Sequence, residues 1–200
     1  MATMPKQERA RVTRENIVSA AASTFARSSF ARTSLADILD AAEVTKGAFY
    51  FHFEAKESVA GAVLELYADT LRATRERVGA EAPSPLHALR RLCESALDGH
   101  PHSLADGLRL AGEVAALQPD IATPYYGAWL ETVGMFLRTA AAEGGVPDDR
   151  DPDELARVLV ATLAGAALVA DALGPRERDG LVDAVWRQLL LDTISTPHRR

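Results

Sequence analysis

Apolar residues recur at helical spacing through most of this chain, and the alternation that marks a strand is almost nowhere to be found. Ile17, Ala20, Ala21, Thr24 and Phe25 form a stripe that predicts a helix over 9–28, with Arg11 and Arg14 on its polar side. Leu35, Ile38, Leu39 and Ala42 give one apolar face to a short second helix. Thr33 or Ser34 can cap it, because a hydroxyl there accepts a backbone N–H of the opening turn. Glu43 and Val44 make a turn, and Thr45 is placed to cap a third helix carrying Lys46, Gly47, Ala48, Phe49 and Tyr50. A long helix over 57–78 follows, with Val59, Val63, Leu66, Tyr67 and Leu71 inward, until Pro83 and Pro85 break it. Further helices are predicted over 86–98, 103–117, 125–143, 152–173 and 176–194, separated by Gly and Pro clusters. The expected fold is all-α in two parts, a three-helix unit over 1–56 and a larger helical body over 57–200.

Helix, tight turn, helix over 33–56 is the shape that lays its second helix in the DNA major groove. Thr45, Gly47 and Ala48 are small enough to reach base edges. Lys46, Tyr50, His52 and Lys56 can reach phosphates, which set register but carry no sequence information. Thr33 and Ser34, at the start of the first of the two helices, are further candidate DNA contacts. Phe49, Phe51 and Phe53 cannot all face DNA, and some must pack beneath the helix.

Charge first argues against this picture and then for it. The net charge is −6 and the pI is near 5.4. Residues 1–56 nevertheless hold eight Lys/Arg against six Asp/Glu, while 57–200 hold fourteen against twenty-two. Positive potential is therefore local to the end that would meet DNA, and the acidic remainder points away.

The phrases TSLADI and VTKGAFYFHF, with a Lys-Glu opening the next helix, resemble the DNA-binding domain of the TetR family of repressors. TKGAFYFHF is especially similar to its γ-butyrolactone receptor branch, and the close likeness runs over 8–62. It departs from the family at Glu43, where a Gly usually precedes the Val of the turn, and at Ser29, where a Gly usually precedes the aromatic. A residue with a Cβ at positive φ costs on the order of 1 kcal/mol. The resemblance implies a homodimeric repressor that binds a pseudo-palindromic operator and is released by a small-molecule inducer of γ-butyrolactone or antibiotic type. It also implies dimerisation through the last two helices.

The residues themselves leave alternatives at both of those sites. The 152–173 segment is apolar nearly all round and rich in small residues, and the last helix carries Leu181, Val185, Trp186, Leu189 and Leu190. Such helices need cover on every side, from a partner chain or from the protein's own core. Leu159, Gly165, Leu168, Val185 and Leu189 are the candidate dimer residues. Tyr125, Trp129, Val133 and Phe136 share one helix face, which suits either a core or a ligand wall. The resemblance favours the wall, because a Trp lines the cavity in the γ-butyrolactone receptors and Trp129 matches it. Leu89, Leu92, Leu110 and Val114 can complete that wall, with Gln118, Thr132 and Thr162 as polar groups.

Catalytic signatures are missing: there is no Gly-rich phosphate loop and no nucleophile elbow. No cofactor is expected. The single cysteine, Cys93, excludes an internal disulfide and a thiolate-rich metal site, and its leucine neighbours suit a buried thiol. His100 and His102 with Asp98 and Asp106 have the donor types for a metal, but polar loop residues need no such reason, and no metal is expected. The first twenty residues mix Lys, Arg and Glu with no apolar core segment, so no signal peptide is expected. The longest uncharged run, 158–170, is too short for a bilayer, which takes about 20 residues. The expected location is cytoplasmic. An efflux-gene regulator of the same family, or a helical enzyme or adaptor that carries a helix-turn-helix, stays open beside the lactone receptor.

Overall fold

A computed structural model describes residues 6–97, 103–173 and 181–187, and all regular structure among them is helical. The helices are α1 (Lys6–Ser28), α2 (Leu35–Ala42), α3 (Lys46–His52), α4 (Lys56–Glu81), α5 (Pro85–Leu97), α6 (Leu104–Ala115), α7 (Pro119–Ala142), α8 (Pro152–Leu173) and α9 (Leu181–Trp186). No helix among the described residues is long and apolar enough to cross a membrane. Asp98, His100, His102 and most of the expected last helix, Leu189 and Leu190 included, lie outside the described residues.

Two packing centres follow from the apolar stripes. Ile17, Ala21 and Phe25 of α1, Ile38 of α2 and Phe49 of α3 meet in a small core, all at 3% exposure or less. The second centre is built by α7, which packs against α4, α5, α6 and α8. Cys93 is buried in it with Leu89, Leu92 and Leu97. α4 belongs to both centres: Val59 and Val63 near its start are fully buried, and so is Val78 near its end. α6 is the other bridge, touching α1 on one side and α4, α7 and α8 on the others.

Two expectations are corrected and a third is met. Leu66 does not face inward but is 44% exposed on α4. α7 starts at Pro119 rather than after Pro124, so Pro124 lies within the helix. Pro119 sits in the opening turn, where a missing N–H goes unnoticed. Pro124 comes one turn later and forfeits only the bond to Asp120, near an end that is loosely bonded anyway. The stretch that read as punctuation is thus the first turn and a half of a 24-residue helix. Finally, both departures from glycine are strained: Ser29 has φ 67° and Glu43 has φ 52°.

Candidate functional site

The helix-turn-helix is assembled by caps at each end. The Ser34 hydroxyl accepts from the Asp37 N–H at 3.2 Å, and the Asp37 carboxylate accepts the Ser34 N–H and O–H at 2.7 and 2.8 Å. Those two bonds from Ser34 hold the Asp37 carboxyl below its usual pKa. At the other end of α2, Glu43 adopts the left-handed conformation. Its N–H reaches the Asp40 carbonyl, and that of Val44 the Leu39 carbonyl at 3.1 Å. This is a Schellman closure made without the usual glycine. Thr45 then caps α3, its hydroxyl accepting from Ala48 N–H at 3.1 Å.

α3 turns Phe49 and Phe53 inward and leaves its opposite ridge bare. Phe49 is fully buried and Phe53 is 5% exposed, with Arg14 5.1 Å above the Phe53 ring. Lys46, Gly47, Tyr50 and Phe51 face outward; Tyr50 is 50% and Phe51 74% exposed. The Lys46 ammonium lies 5.8 Å from the Tyr50 ring centre. Thr45 is exposed, while Ala48 and His52 are half-buried. A Cβ built on Gly47 would meet nothing nearer than the Thr45 hydroxyl at 4.0 Å.

Two expected contacts belong to the fold instead. Thr33 is 2% exposed and its hydroxyl donates to Ser29 at 2.7 Å. Lys56 donates to the carbonyls of Phe30 and Thr33, both at 2.9 Å, with its ammonium 4.2 Å from the Phe30 ring centre. Its half-buried ammonium is turned onto the segment that joins the first helix to the second. Phe51 was not singled out; its place one turn beyond Gly47 on the same ridge is the signal that would have found it.

In the body, Tyr125, Trp129, Val133 and Phe136 line one buried face of α7, together with Leu89 of α5 and Leu110 of α6. Trp129 is 0% exposed and its indole N–H has no hydrogen-bond partner. It lies toward the Tyr125 hydroxyl, which donates a long bond of 3.5 Å to the Leu104 carbonyl. Burial raises the pKa of Tyr125 and Tyr67, so both stay neutral at physiological pH. Of the polar groups expected here, Thr132 is buried on α7 at 3% exposure, and the other two lie elsewhere. Gln118 is exposed at the start of α7, and the half-buried Thr162 donates to Val158 of its own helix at 2.8 Å. The polar side chains buried on α7 are those of Tyr125, Trp129 and Thr132.

On α8, Leu159 is 2% exposed and packs within its own chain, so it is a core residue. The outward strip is Val158, Ala161, Leu168 and Val169, with the leucine and the two valines 43–46% exposed. Gly165 lies along it, half-buried, and a Cβ there would meet no atom within 4 Å. The Val185 side chain and Leu189 lie outside the described residues.

A capped helix-turn-helix with a bare outer ridge, joined through α4 and α6 to a larger helical body, defines a DNA-binding regulator of the two-part helical type. Residues 17–63 match the bacterial regulatory proteins of the tetR family. The chain is 33% identical to the A-factor receptor protein of Streptomyces griseus over 198 residues, 94% of this chain and 66% of that one. It is 27% identical to the transcriptional repressor DhaR of Mycobacterium sp. strain GP1, covering 90% of this chain and 93% of the other. The crystal structure of a γ-butyrolactone receptor, an ArpA-like protein, superposes with a TM-score of 0.71 at 32% identity, covering 94% and 91% of the two chains. The chain belongs to the TetR family, and it is a transcriptional regulator rather than an enzyme.

Proposed function

We infer that this chain is a ligand-responsive repressor. It binds a pseudo-palindromic operator as a homodimer and leaves it when a small molecule of γ-butyrolactone type enters the body around α7. The observation that carries the DNA reading is the outer ridge of α3, where Gly47 has no packing reason to lack a side chain. A glycine in a helix costs stability relative to alanine. A bare backbone suits a surface that another molecule must approach closely. Thr45, Gly47 and Ala48 read base edges, while Lys46, Tyr50 and His52 grip phosphates. Two such helices on a two-fold axis meet major grooves one or more turns apart, at about 34–36 Å per turn. The strip of Val158, Leu168 and Val169 is the surface for the second copy. Action on operator DNA places the chain in the cytoplasm.

The ligand class rests on similarity to the A-factor receptor and to the ArpA-like γ-butyrolactone receptor structure. The apolar wall of α7, with two polar atoms among its aromatics, suits a mostly apolar molecule carrying one or two acceptors. The test is fluorescence anisotropy on a duplex selected from a random library. Addition of an alkyl-substituted γ-butyrolactone should release the protein. Release only by polyaromatic drugs would move the assignment to an efflux-gene regulator, and failure to enrich any duplex would remove the repressor reading.

A further inference from the structure

The segment between α1 and α2, residues 29–34, is held from two sides that no local sequence pattern connects. From α4, Lys56 binds the carbonyls of Phe30 and Thr33. From α6, the Glu113 carboxylate accepts the N–H of Phe30 at 2.7 Å and that of Ala31 at 3.2 Å. One helical turn earlier on α6, Arg109 donates to the Ala26 carbonyl at 3.0 Å and to Asp106 at 2.8 Å. The signs are matched to their targets. A cation meets the carbonyls that end α1, and an anion meets free N–H groups just beyond it. Bonds to a charged partner are about twice as strong as neutral ones.

The opposite side of α6 is pressed against the body's aromatic face. A Cβ on Gly107 would lie 2.8 Å from the Tyr125 ring and 3.0 Å from Tyr67 Cβ. The α6 backbone therefore rests directly on the Tyr125 ring, which α7 carries one turn before Trp129. Asp106, Arg109 and Glu113 form one face, and Gly107 and Ala111 another. Gly107 has no side chain to yield, so a shift of the Tyr125 ring bears directly on the α6 backbone.

We propose that Glu113 is the positioning residue that links α6 to the recognition helix, by fixing the 29–34 segment from which α2 and α3 hang. It touches neither DNA nor inducer. It sets the placement of Phe30, whose ring packs on Phe25 at 5.4 Å between centres and whose carbonyl is held by Lys56. Position of the body and position of the helix-turn-helix thereby become one variable, which is what coupling between two sites requires. The inference rests on the repressor reading, but its test needs no inducer.

Amide hydrogen exchange reads the link. The probe is a duplex enriched from a random library by the wild-type protein, at saturating concentration for every variant. In wild type the duplex should slow exchange within α6, at Leu108–Val114, by at least about fivefold, the lower end of ordinary coupling factors. In a Glu113→Ala variant of unchanged helicity, the same duplex should alter α6 exchange by less than about twofold. Glu113→Gln retains an oxygen that can accept both N–H groups, and it should restore most of the response. A folded Glu113→Ala that no longer holds the duplex, rescued by Glu113→Gln, supports the proposal equally. A response in Glu113→Ala equal to wild type, or none in wild type, overturns it. If no duplex is enriched, the repressor reading fails first. Unchanged exchange at Phe30 and Ala31 in Glu113→Ala would then overturn the link as well.

Discussion

Gly47→Ala separates a DNA-facing ridge from an ordinary helix surface, because the two readings predict opposite balances. Inside the protein the new methyl meets only the Thr45 hydroxyl at 4.0 Å, so nothing has to move. Alanine is favoured over glycine by about 1 kcal/mol in a helix interior. Gly47 is the second residue of α3, so roughly half of that applies. For a chain of this size, about 0.5 kcal/mol raises Tm by roughly 1–2 °C. Against DNA the same methyl holds the helix away from the base edges. Loss of one good base contact costs about 1–3 kcal/mol per half-site, or roughly 5- to 150-fold in affinity. The assays are calorimetry on the free protein and anisotropy on a selected operator at fixed salt. A variant that is slightly more stable and binds at least about fivefold more weakly is the expected result. Operator affinity within twofold of wild type would refute the assignment of Gly47 to the DNA face.

Lys46→Ala removes a phosphate contact, so it should weaken binding to all sequences alike and flatten the salt dependence by about one unit of slope; a changed base preference would contradict that role. Ser29→Gly and Glu43→Gly relieve left-handed strain and should each raise Tm by roughly 2–4 °C, corresponding to about 1 kcal/mol. Trp129→Ala should cost about 3–5 kcal/mol of stability by denaturant titration. Trp129→Phe also discards the unpartnered indole N–H and should stay within roughly 1.5 kcal/mol of wild type. Burial pushes the Cys93 thiol up to about 12, so a thiol reagent at pH 8 should label it only as fast as the chain opens. The raised value also means that this thiol's contribution is intact below the unfolded pKa near 8.5 and is lost as pH climbs toward 12. Labelling at the rate of a free thiol would show the site to be open.

Helix positions were legible because each buried face repeats locally. Ile17, Ala21 and Phe25, or Tyr125, Trp129, Val133 and Phe136, announce their inward side without knowledge of any neighbour. The caps at Ser34 and Thr45 were legible for the same reason, since a hydroxyl and its N–H partner lie three residues apart. What escaped was set by contacts distant in sequence. Lys56 looked like a free cation on the DNA side because nothing nearby shows that Phe30 and Thr33 turn their carbonyls toward it. Glu113 reads as one more charge on an amphipathic helix until α1 folds against it. Leu159 and Leu168 differ in burial by their position around α8, and apolar content all round the helix conceals which side is which. Thr162 looked inward-facing by type, but on a helix a hydroxyl can satisfy itself on the carbonyl four residues earlier.

The state of the α7 face also constrains how an inducer must act. Trp129, Leu89, Val133 and Leu137 are each at 0% exposure, so no water-sized space borders them. A ligand wedged against Trp129 therefore cannot simply fill room already there; it must part the packed surfaces of α5, α6 and α7. Separating well-packed apolar side chains forfeits their contacts and costs several kcal/mol for a group of tryptophan size. The ligand's own burial and any bond it offers to the orphan indole N–H must offset that loss. This requirement favours coupling. A molecule that fits the opened form alone binds the two conformations with very different affinity, and that difference is all it has with which to shift the population. A roomy, preformed cavity would bind more tightly but would discriminate less. The displacement has a defined exit, because Gly107 leaves the α6 backbone against Tyr125 and Tyr67 with no side chain to yield. On the proposed reading, tight packing at Trp129 and the glycine contact on α6 would serve the same end, turning ligand entry into movement of α6.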